Sequence, residues 1–464
     1  MNMSAVLSPV TSIVSDMVSG RTSTSAHITA VLENIKAVNP RVNAFTDILD
    51  ERALAVAAGI DRRKAAGQKL GALAGVPFAV KNMIDVAGLR TRAGSKINSE
   101  ERAPAKRDAT LVRRLEAADA ILVGTLNMGE YAYDFTGENA HYGPSRNPHA
   151  LDHMTGGSSG GSGAAVAAGM VPISLGSDTN GSIRIPSTFC GIFGLKPTYG
   201  RLSRFGSFPF VSSLDVLGPI ARSVDDLALC YDVMQGSDQE DPVSCCRDVE
   251  PTSRLLDRGV EGLRIATAVG HFSRNSEPEV LQAVGRVAQS LDVRRQIEIP
   301  EAQRARAAAQ VISAAEGAAL HLDRLRAQAN NYDPIVRDRL LAGAATPAAW
   351  VIKAQQFRRW YKDQVLQLFK SVDVILAPAT PCRAPKIGQQ VLDIEGETVP
   401  LRPALGIFTQ PISFIGLPVV TVPIWIDGGL PLGVQIITAP WREDLGLRVA
   451  SYLERAGTCK GLSS

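Results

Sequence analysis

Residues 156–197 decide the fold of this 464-residue chain, and their sequence is GGSSGGSGAAVAAGMVPISLGSDTNGSIRIPSTFCGIFGLKP. The first eight residues alone fit a flexible linker as well as a structured turn, because glycine and serine dominate both. Small apolar residues follow at 164–170 and predict a tightly packed helix, and residues 171–175 predict a short buried strand. A linker is not usually followed at once by core elements. We therefore interpret the run as a turn with unusual backbone angles, or as one that a ligand approaches closely.

A second turn follows this strand, in SDTNGSIRIP at residues 177–186, and it presents Ser182 near its end. Successive backbone N–H groups in such a turn are able to converge on the oxygen of an attacked carbonyl. Asp178 and Arg184 flank the turn, and we expect them to pair across it and hold it rigid. The candidate donors of an oxyanion hole are the backbone N–H groups of Thr179, Asn180, Gly181 and Ser182.

A serine hydroxyl needs a base to act as a nucleophile, and histidine is the common one. None of the six histidines lies in a recognisable Ser-His-Asp context, and the G-x-S-x-G pattern does not occur around Ser182. Lys81 is the alternative base, because the apolar run at 76–80 would carry its ammonium group into a desolvated place. Desolvation lowers the pKa of a lysine, and a neutral lysine accepts a proton. Taken alone, Lys81 also fits a solvated charge at the end of a strand.

Together these residues resemble the amidase signature family. The family pattern is a Gly/Ser-rich run, a GSDTGGSIRIP-like turn and a lysine after a GVPFAVKD-like strand. The resemblance implies a Ser-cisSer-Lys triad in which Ser182 is the nucleophile, Ser158 follows a cis peptide bond and bridges the proton, and Lys81 is the base. Most members have glycine where this chain has Asn180, so we expect the Asn180 side chain to lie near the substrate and to alter specificity. The implied structural supports are Gly157, Ser159, Asp178 and Arg184.

The resemblance covers nearly the whole chain and implies an α/β fold, with an α/β/α sandwich around a large mixed sheet and an N-terminal helical part. The sequence pattern agrees, because predicted strands such as 73–80 alternate with predicted helices. We expect a single amidase signature domain over residues 1–464. Its predicted parts are N-terminal helices at 1–66, a catalytic core with the lysine and the Ser/Gly-rich signature at 67–235, and the remaining pocket helices and sheet strands at 236–464.

The substrate pocket is expected to use residues outside the triad. Residues 302–343 are predicted to be helical and carry several arginines, and arginine binds carboxylates through two parallel hydrogen bonds. Arg337 is our candidate for a substrate carboxylate, and a helix-capping or salt-bridge role is its open alternative. The loop at 128–148 is either a pocket wall or a packed surface loop. The other candidate substrate-binding residues are Met128, Tyr131, Tyr142 and Gln410.

Stretches outside the shared motif narrow the range of expected substrates. FTGENAHYGPSRNPH, AEGAALHLDRLR and SDTNGSIRIP with its asparagine resemble a branch of the family that acts in the breakdown of s-triazines. Members of that branch release ammonia from a small, urea-like, carboxylated amide, so the resemblance implies this reaction. The alternatives are the glutaminase component of a tRNA-dependent amidotransferase, a broad aliphatic or aryl amidase, and a non-catalytic scaffold with the same fold.

Composition limits the partners and the location. The formal net charge is +3 and no basic run tracks nucleic acid, so no nucleic-acid partner is expected. No signal peptide is evident, and no apolar stretch reaches the roughly 20 residues that span a membrane. The six cysteines form no C-x-x-C pair and are predicted to be free thiols in a reducing cytoplasm, with no metal site and no cofactor.

The resemblance implies a small helical partner subunit in a heterodimer or heterotetramer, and a lone chain is expected to form a homodimer.

Overall fold

Helices and strands alternate along the chain in a computed structural model that describes residues 8–461. The helices are α1 (Val10–Ser19), α2 (Thr24–Val42), α3 (Asp50–Ala65), α4 (Lys96–Glu101), α5 (Thr110–Ala117), α6 (Gly160–Ala167), α7 (Arg184–Phe189), α8 (Val224–Met234), α9 (Pro278–Ser290), α10 (Ala302–Gln328), α11 (Pro334–Ala344), α12 (Ala348–Leu368), α13 (Leu401–Leu405), α14 (Gln410–Ser413) and α15 (Glu443–Arg455). The strands are β1 (Phe45–Ile48), β2 (Pro77–Lys81), β3 (Ile121–Leu126), β4 (Arg146–Asn147), β5 (Ala150–Met154), β6 (Ile173–Ser177), β7 (Phe193–Lys196), β8 (Leu217–Ala221), β9 (Ile265–Val269), β10 (Gln296–Glu298), β11 (Val374–Pro378), β12 (Val391–Ile394), β13 (Glu397–Pro400), β14 (Val419–Ile424) and β15 (Leu432–Thr438).

Eleven strands form one mixed sheet in the order β1-β3-β2-β6-β8-β7-β14-β15-β11-β9-β10. β2 pairs in parallel with both β3 and β6, whereas β6 and β8 run antiparallel. Phe78 and Val80 of β2 join one hydrophobic core, and Ala79 between them joins another. Because successive side chains point to opposite faces of a sheet, both faces are buried under helices. The predicted α/β fold with a large mixed sheet is confirmed.

The Gly/Ser-rich run is buried throughout residues 156–167, and its second half is helical. The helix predicted at 164–170 is misplaced, because α6 begins at Gly160 and ends at Ala167. Close packing explains the glycines: a Cβ on Gly161 would lie 2.5 Å from the carbonyl oxygen of Asn127. The run is therefore a tightly packed turn and helix, and the linker interpretation is wrong.

The N-terminal part contributes a strand as well as helices. β1 pairs antiparallel with β3 at the edge of the main sheet, between α2 and α3. Sequence analysis missed it because β1 has four residues, of which only Phe45 is fully buried, so its apolar pattern is weak.

The single helix predicted over 302–343 is two helices. α10 ends at Gln328, a 3-10 turn follows at Ala329–Asn331, and α11 starts at Pro334. The side chain of Asp333 caps α11 by accepting the N–H of Ile335 at 3.0 Å. Proline fits the first turn of a helix but not its interior, so Pro334 marks a helix start that the prediction overlooked.

Neither a disulfide bond nor a membrane-crossing helix is found in residues 8–461. All six cysteines are free thiols, which confirms that prediction, and four of them are buried: Cys190, Cys230, Cys382 and Cys459. No helix in this part of the chain combines the length and the apolar character needed to cross a bilayer.

Candidate active site

Lys81 ends β2, and its side chain is completely buried. Its Nζ donates hydrogen bonds to Oγ of Ser158 at 2.6 Å and to Oγ of Ser177 at 2.8 Å. Burial lowers the pKa of Lys81 to about 7, although nearby carboxylates, first among them Asp215, oppose the shift. A large fraction of the side chain is therefore neutral near pH 7, so Lys81 is able to exchange a proton with Ser158. A solvated surface charge is excluded.

Ser158 lies in the turn before α6, and the Gly157–Ser158 peptide bond is cis, as the family resemblance implies. The N–H of Gly157 donates to the carbonyl of Phe135 at 2.8 Å, and the carbonyl of Ser158 accepts the N–H of Gly129 at 3.1 Å. A Cβ on residue 157 would lie 2.5 Å from Oδ2 of Asp134. Ser158 is thus held firmly against the loop that follows β3.

Ser159 ties the Gly/Ser-rich run to the end of β6. Its Oγ donates to the carbonyl of Ser177 at 3.2 Å and accepts the N–H of the same residue at 3.2 Å. These two bonds fix Ser177 beside the run, where its own hydroxyl accepts a hydrogen bond from Lys81. Ser159 therefore helps to position the groups around the lysine without contacting it.

A buried ion pair braces the turn that carries Ser182. Nε of Arg184 lies 2.8 Å from Oδ2 of Asp178 and Nη2 lies 2.9 Å from Oδ1, and both side chains are fully buried. Burial raises the pKa of Asp178, but the charge and hydrogen bonds of Arg184 outweigh it, so the net pKa is lowered. Arg184 also donates to Oε1 of Gln435 at 2.7 Å, which anchors the turn to β15. Ser182 itself is 2% exposed.

The turn presents several backbone N–H groups. The N–H of Gly181 donates to Oδ1 of Asp178 at 2.7 Å, so it is engaged within the protein. In residues 8–461 no protein acceptor binds the N–H groups of the other three predicted donors, Thr179, Asn180 and Ser182. These three groups are available to the oxygen of a ligand.

Five of the six histidine rings bond to groups other than the site serines, and Nε2 of the sixth, His27, is buried without a hydrogen-bond partner in the described residues. His141 pairs with the buried carboxylate of Glu130 at 2.9 Å. Four other rings contact the carbonyl of Cys190 (His149), the carboxylate of Asp152 (His153), the carbonyl of Ile407 (His271) and the hydroxyl of Tyr332 (His321). Lys81 is therefore the basic side chain that contacts Ser158.

The two predicted aromatic substrate contacts are packed against other side chains. Tyr131 is 1% exposed, and its ring centroid lies 4.1 Å from that of His321 and 5.4 Å from that of Phe208. Tyr142 is half-buried, with the Arg92 guanidinium 5.7 Å from its ring centroid. The structure therefore places Tyr131 in an interior aromatic cluster and Tyr142 beside the partly buried Arg92, which pairs with Asp47.

Met128 and Gln410 lie closer to the two serine turns. Met128 is buried, and the residue after it donates its N–H to the carbonyl of Ser158. Gln410 begins α14 and is 4% exposed. Its neighbour Thr409 donates to the carbonyl of Asn180 at 2.6 Å. Both predicted residues are thus next to segments that bear the candidate catalytic groups.

The arginines of α11 differ in how their charges are balanced. Nε of Arg337 pairs with Oδ1 of Asp338 at 2.8 Å. Arg339 donates to the carbonyl of Tyr133 at 2.7 Å, and its guanidinium lies 3.6 Å from the centroid of that ring. The Tyr133 ring packs 4.7 Å from Phe210. No carboxylate pairs with Arg339 in the part of the chain that the structure describes, so its charge is unmatched there.

Three site residues were missed from the sequence. Ser177 is the second hydrogen-bond acceptor of Lys81, and its position at the end of a buried strand beside the turn was the signal for it. Asp215 accepts the hydroxyl of Thr179 at 2.6 Å, and Ser313 accepts the side-chain amide of Asn180 at 2.8 Å. Nothing in the sequence around these two residues distinguishes them.

Comparison with known proteins identifies the family of this chain. The Amidase family model matches residues 26–447. The chain is 50% identical over 450 residues to the AtzE component of 1-carboxybiuret hydrolase from Pseudomonas sp. (strain ADP), and the match covers 97% of this chain and 98% of the relative. A glutamyl-tRNA(Gln) amidotransferase subunit from Pseudomonas fluorescens (strain SBW25) is 36% identical over 449 residues, covering 90% of this chain and 91% of the relative.

Solved structures lead to the same family. One, described as "An unexpected vestigial protein complex reveals the evolutionary origins of an s-triazine catabolic enzyme", has a TM-score of 0.97 and 49% identity, covering 98% of this chain and 100% of the other. A bacterial aryl acylamidase of the amidase signature family has a TM-score of 0.89 and 27% identity, covering 97% of this chain and 96% of the other. The chain therefore belongs to the amidase signature family and is an amide hydrolase, as its motifs predict.

Proposed function

We propose that this protein hydrolyses amides with Ser182 as the nucleophile, Ser158 as the proton bridge and Lys81 as the base. The observation that carries the proposal is the buried Lys81 amine, which lies 2.6 Å from Oγ of Ser158. Its pKa, lowered to about 7 by burial, makes the neutral form accessible at neutral pH. A neutral lysine in this position accepts the proton of Ser158, which in turn accepts the proton of Ser182.

The reaction then proceeds through an acyl-enzyme. Oγ of Ser182 attacks the amide carbon, and the carbonyl electron pair moves to the oxygen, where the N–H groups of Thr179, Asn180 and Ser182 stabilise it. The proton taken up by Lys81 returns through Ser158 to the leaving nitrogen as the C–N bond breaks and ammonia departs. Water attacks the ester in the same way, and its proton returns to Ser182 as the C–O bond breaks. One water is consumed, and the protein regains its first protonation state.

The substrate that we propose is 1-carboxybiuret, which would give urea-1,3-dicarboxylate and ammonia. The support is the 50% identity to a 1-carboxybiuret hydrolase component over 97% of the chain, together with a TM-score of 0.97 to an s-triazine catabolic protein. The amidotransferase relatives are more distant, at 36% identity for the Pseudomonas fluorescens protein. A cationic group near the catalytic serines would bind the carboxylate of this small planar anion.

Two arginines of α11 are candidates for binding the substrate carboxylate. Arg337, the residue predicted from sequence, already pairs with the carboxylate next to it in the chain. Arg339 has no carboxylate partner in residues 8–461, and its guanidinium packs against Tyr133. Tyr133 precedes Phe135 by two residues, and the carbonyl of Phe135 accepts the N–H of Gly157 in the Gly/Ser-rich turn. An unmatched guanidinium attracts an anion more strongly than a paired one. We therefore favour Arg339 over Arg337.

A small helical subunit is the proposed partner, forming a heterodimer or heterotetramer with this chain. The related s-triazine protein is described as part of a protein complex. The exposed surface of α12 carries three large apolar side chains, Trp350 at 60% exposure, Ile352 at 58% and Trp360 at 43%, and exposed apolar surface marks interaction sites. Lys353 and Arg359 are exposed on the same helix without an ion-pair partner in the described residues. An acidic amphipathic helix would complement this surface.

The proposed function is tested by ammonia release from 1-carboxybiuret, biuret, glutamine and a simple aliphatic amide. The purified chain is assayed with and without the small helical subunit, and Ser182→Ala is the control. We expect release from the carboxylated substrate and none from the control. Release only from glutamine would replace the substrate by that of an amidotransferase, and release only from simple amides would indicate a broad amidase. Turnover by Ser182→Ala would contradict the catalytic scheme.

A further inference from the structure

The side chain of Asn180 is not used by the proposed mechanism, which needs only its backbone N–H. Asn180 is 6% exposed, and its Nδ2 donates to Oγ of Ser313 on α10 at 2.8 Å. Its Oδ1 is buried and has no hydrogen-bond partner in the described residues. A buried carbonyl oxygen that has lost water without gaining a donor is unfavourable, and such groups are uncommon in folded proteins.

Both the backbone and the side chain of Asn180 are held by hydrogen bonds. Its backbone carbonyl accepts the hydroxyl of Thr409 at 2.6 Å, and the preceding Thr179 is tied by its own hydroxyl to a buried carboxylate. Nδ2 is held by Ser313. The backbone contacts fix the position of the residue, and rotation of the side chain toward another donor would break the bond from Nδ2 to Ser313. In this arrangement Oδ1 is unpaired in the turn that presents Ser182.

We infer that Oδ1 of Asn180 accepts a hydrogen bond from an N–H group of the substrate, next to the amide that Ser182 attacks. The inference rests on the proposed function, since it assigns the substrate class of the same site. It selects ureides, in which an N–H adjoins the scissile carbonyl, over amides that have a methylene there. A methylene would leave Oδ1 buried without a donor, and sites built to bond a polar group of the substrate discriminate strongly against analogues that lack it. Asn180 is thus a specificity-determining residue.

Biuret and malonamide provide a direct test, because they differ only by N–H or CH₂ between two carboxamides. Binding of each is measured by calorimetry to the full chain, with its partner subunit, carrying Ser182→Ala so that neither is hydrolysed. We expect a preference for biuret of about tenfold or more. Adding Asn180→Gly is expected to reduce the preference to less than about threefold, whereas Asn180→Asp, which keeps an acceptor oxygen, is expected to retain it.

Several outcomes would overturn the inference. These are equal binding of the two compounds, a preference that survives Asn180→Gly, and binding of neither compound. Failure of the proposed function is recognised separately, by a wild-type protein that releases no ammonia from 1-carboxybiuret or by turnover in Ser182→Ala. A protein that hydrolyses 1-carboxybiuret without favouring the N–H compound would lose only the role of the Asn180 side chain.

Discussion

The buried core around the two serine turns and the helical region of α10–α12 hold their charged side chains in different ways. In the core, Lys81, Asp178 and Arg184 are fully buried and make hydrogen bonds of 2.6 to 2.9 Å. On α10, by contrast, the Arg326 side chain is 72% exposed and lies 3.6 Å from Asp323. The core thus holds its groups rigidly, whereas the helices present arginines that tolerate change.

This difference between the buried charges of the core and the exposed charges of the helices has a physical origin. A buried charge without its partner is strongly destabilising, so Asp178 and Arg184 each require the other. An exposed ion pair contributes little to stability, so a helix is able to exchange arginines at small cost. We therefore expect the core to determine the type of reaction and the helices, together with Asn180, to determine the substrate.

The largest effect is expected from substitution of Lys81, the proposed base. Lys81→Ala removes the proton acceptor of Ser158, and we expect turnover to fall by about 10⁴-fold or more, as for other members of catalytic triads. Lys81→Arg is expected to fail as well, because a guanidinium stays protonated. The turnover of both variants is measured as ammonia release. The matched control is Lys69→Ala, an exposed lysine that follows α3 and lies outside the proposed partner surface. Activity retained in Lys81→Ala would mean that another group is the base.

The buried ion pair is expected to have the next largest effect, on stability. Asp178→Asn leaves the Arg184 guanidinium buried without its counter-charge. We expect the free energy of unfolding to fall by about 3–5 kcal/mol, as measured by urea denaturation. The comparison is Asp323→Asn, which breaks the exposed pair with Arg326 and should change stability by less than about 0.5 kcal/mol. Similar losses of unfolding free energy in the two variants would contradict the contrast between the core and the helices.

Arg339→Ala is expected to have an intermediate effect confined to carboxylated substrates. Losing a charged hydrogen-bond donor should lower kcat/KM for 1-carboxybiuret by roughly 10- to 100-fold. Arg337→Ala, whose charge is already paired, should lower it by less than about threefold. Steady-state kinetics on 1-carboxybiuret and on a neutral amide separate the two residues. A larger effect of Arg337→Ala would reverse our assignment.

The smallest expected effect is a change in pH dependence. Ser177→Ala removes an acceptor from the protonated amine of Lys81, so the pKa of Lys81 should fall further below its ordinary value. In the proposed mechanism activity requires neutral Lys81 and therefore rises with pH, and this rise should move to lower pH in the variant. Profiles of kcat/KM between about pH 5 and 9 test the shift. A rise displaced to higher pH would show that Ser177 does not stabilise the charged lysine.

The sequence predicted the core better than the helices. Lys81 and Ser158 were predicted because the motifs that carry them resemble those of the family. The Asp178–Arg184 pair was predicted because the two residues lie only six positions apart and flank one turn. The contact of Asn180 with Ser313 spans 133 residues, so no local pattern points to it. The balance of charge at Arg337 and Arg339 likewise depends on neighbours that only the folded chain brings together.

The central claim is that a buried, partly neutral Lys81 is the base, and its titration tests this most directly. Lysine carrying nitrogen-15 at Nζ is incorporated, and the Lys81 signal is assigned by its loss in Lys81→Met. Assignment is essential because burial also lowers the pKa of Lys196 to about 7. We predict that the Lys81 signal titrates near pH 7, at the same pH as the rise in kcat/KM. A Lys81 amine that stays protonated up to about pH 10 would contradict the mechanism.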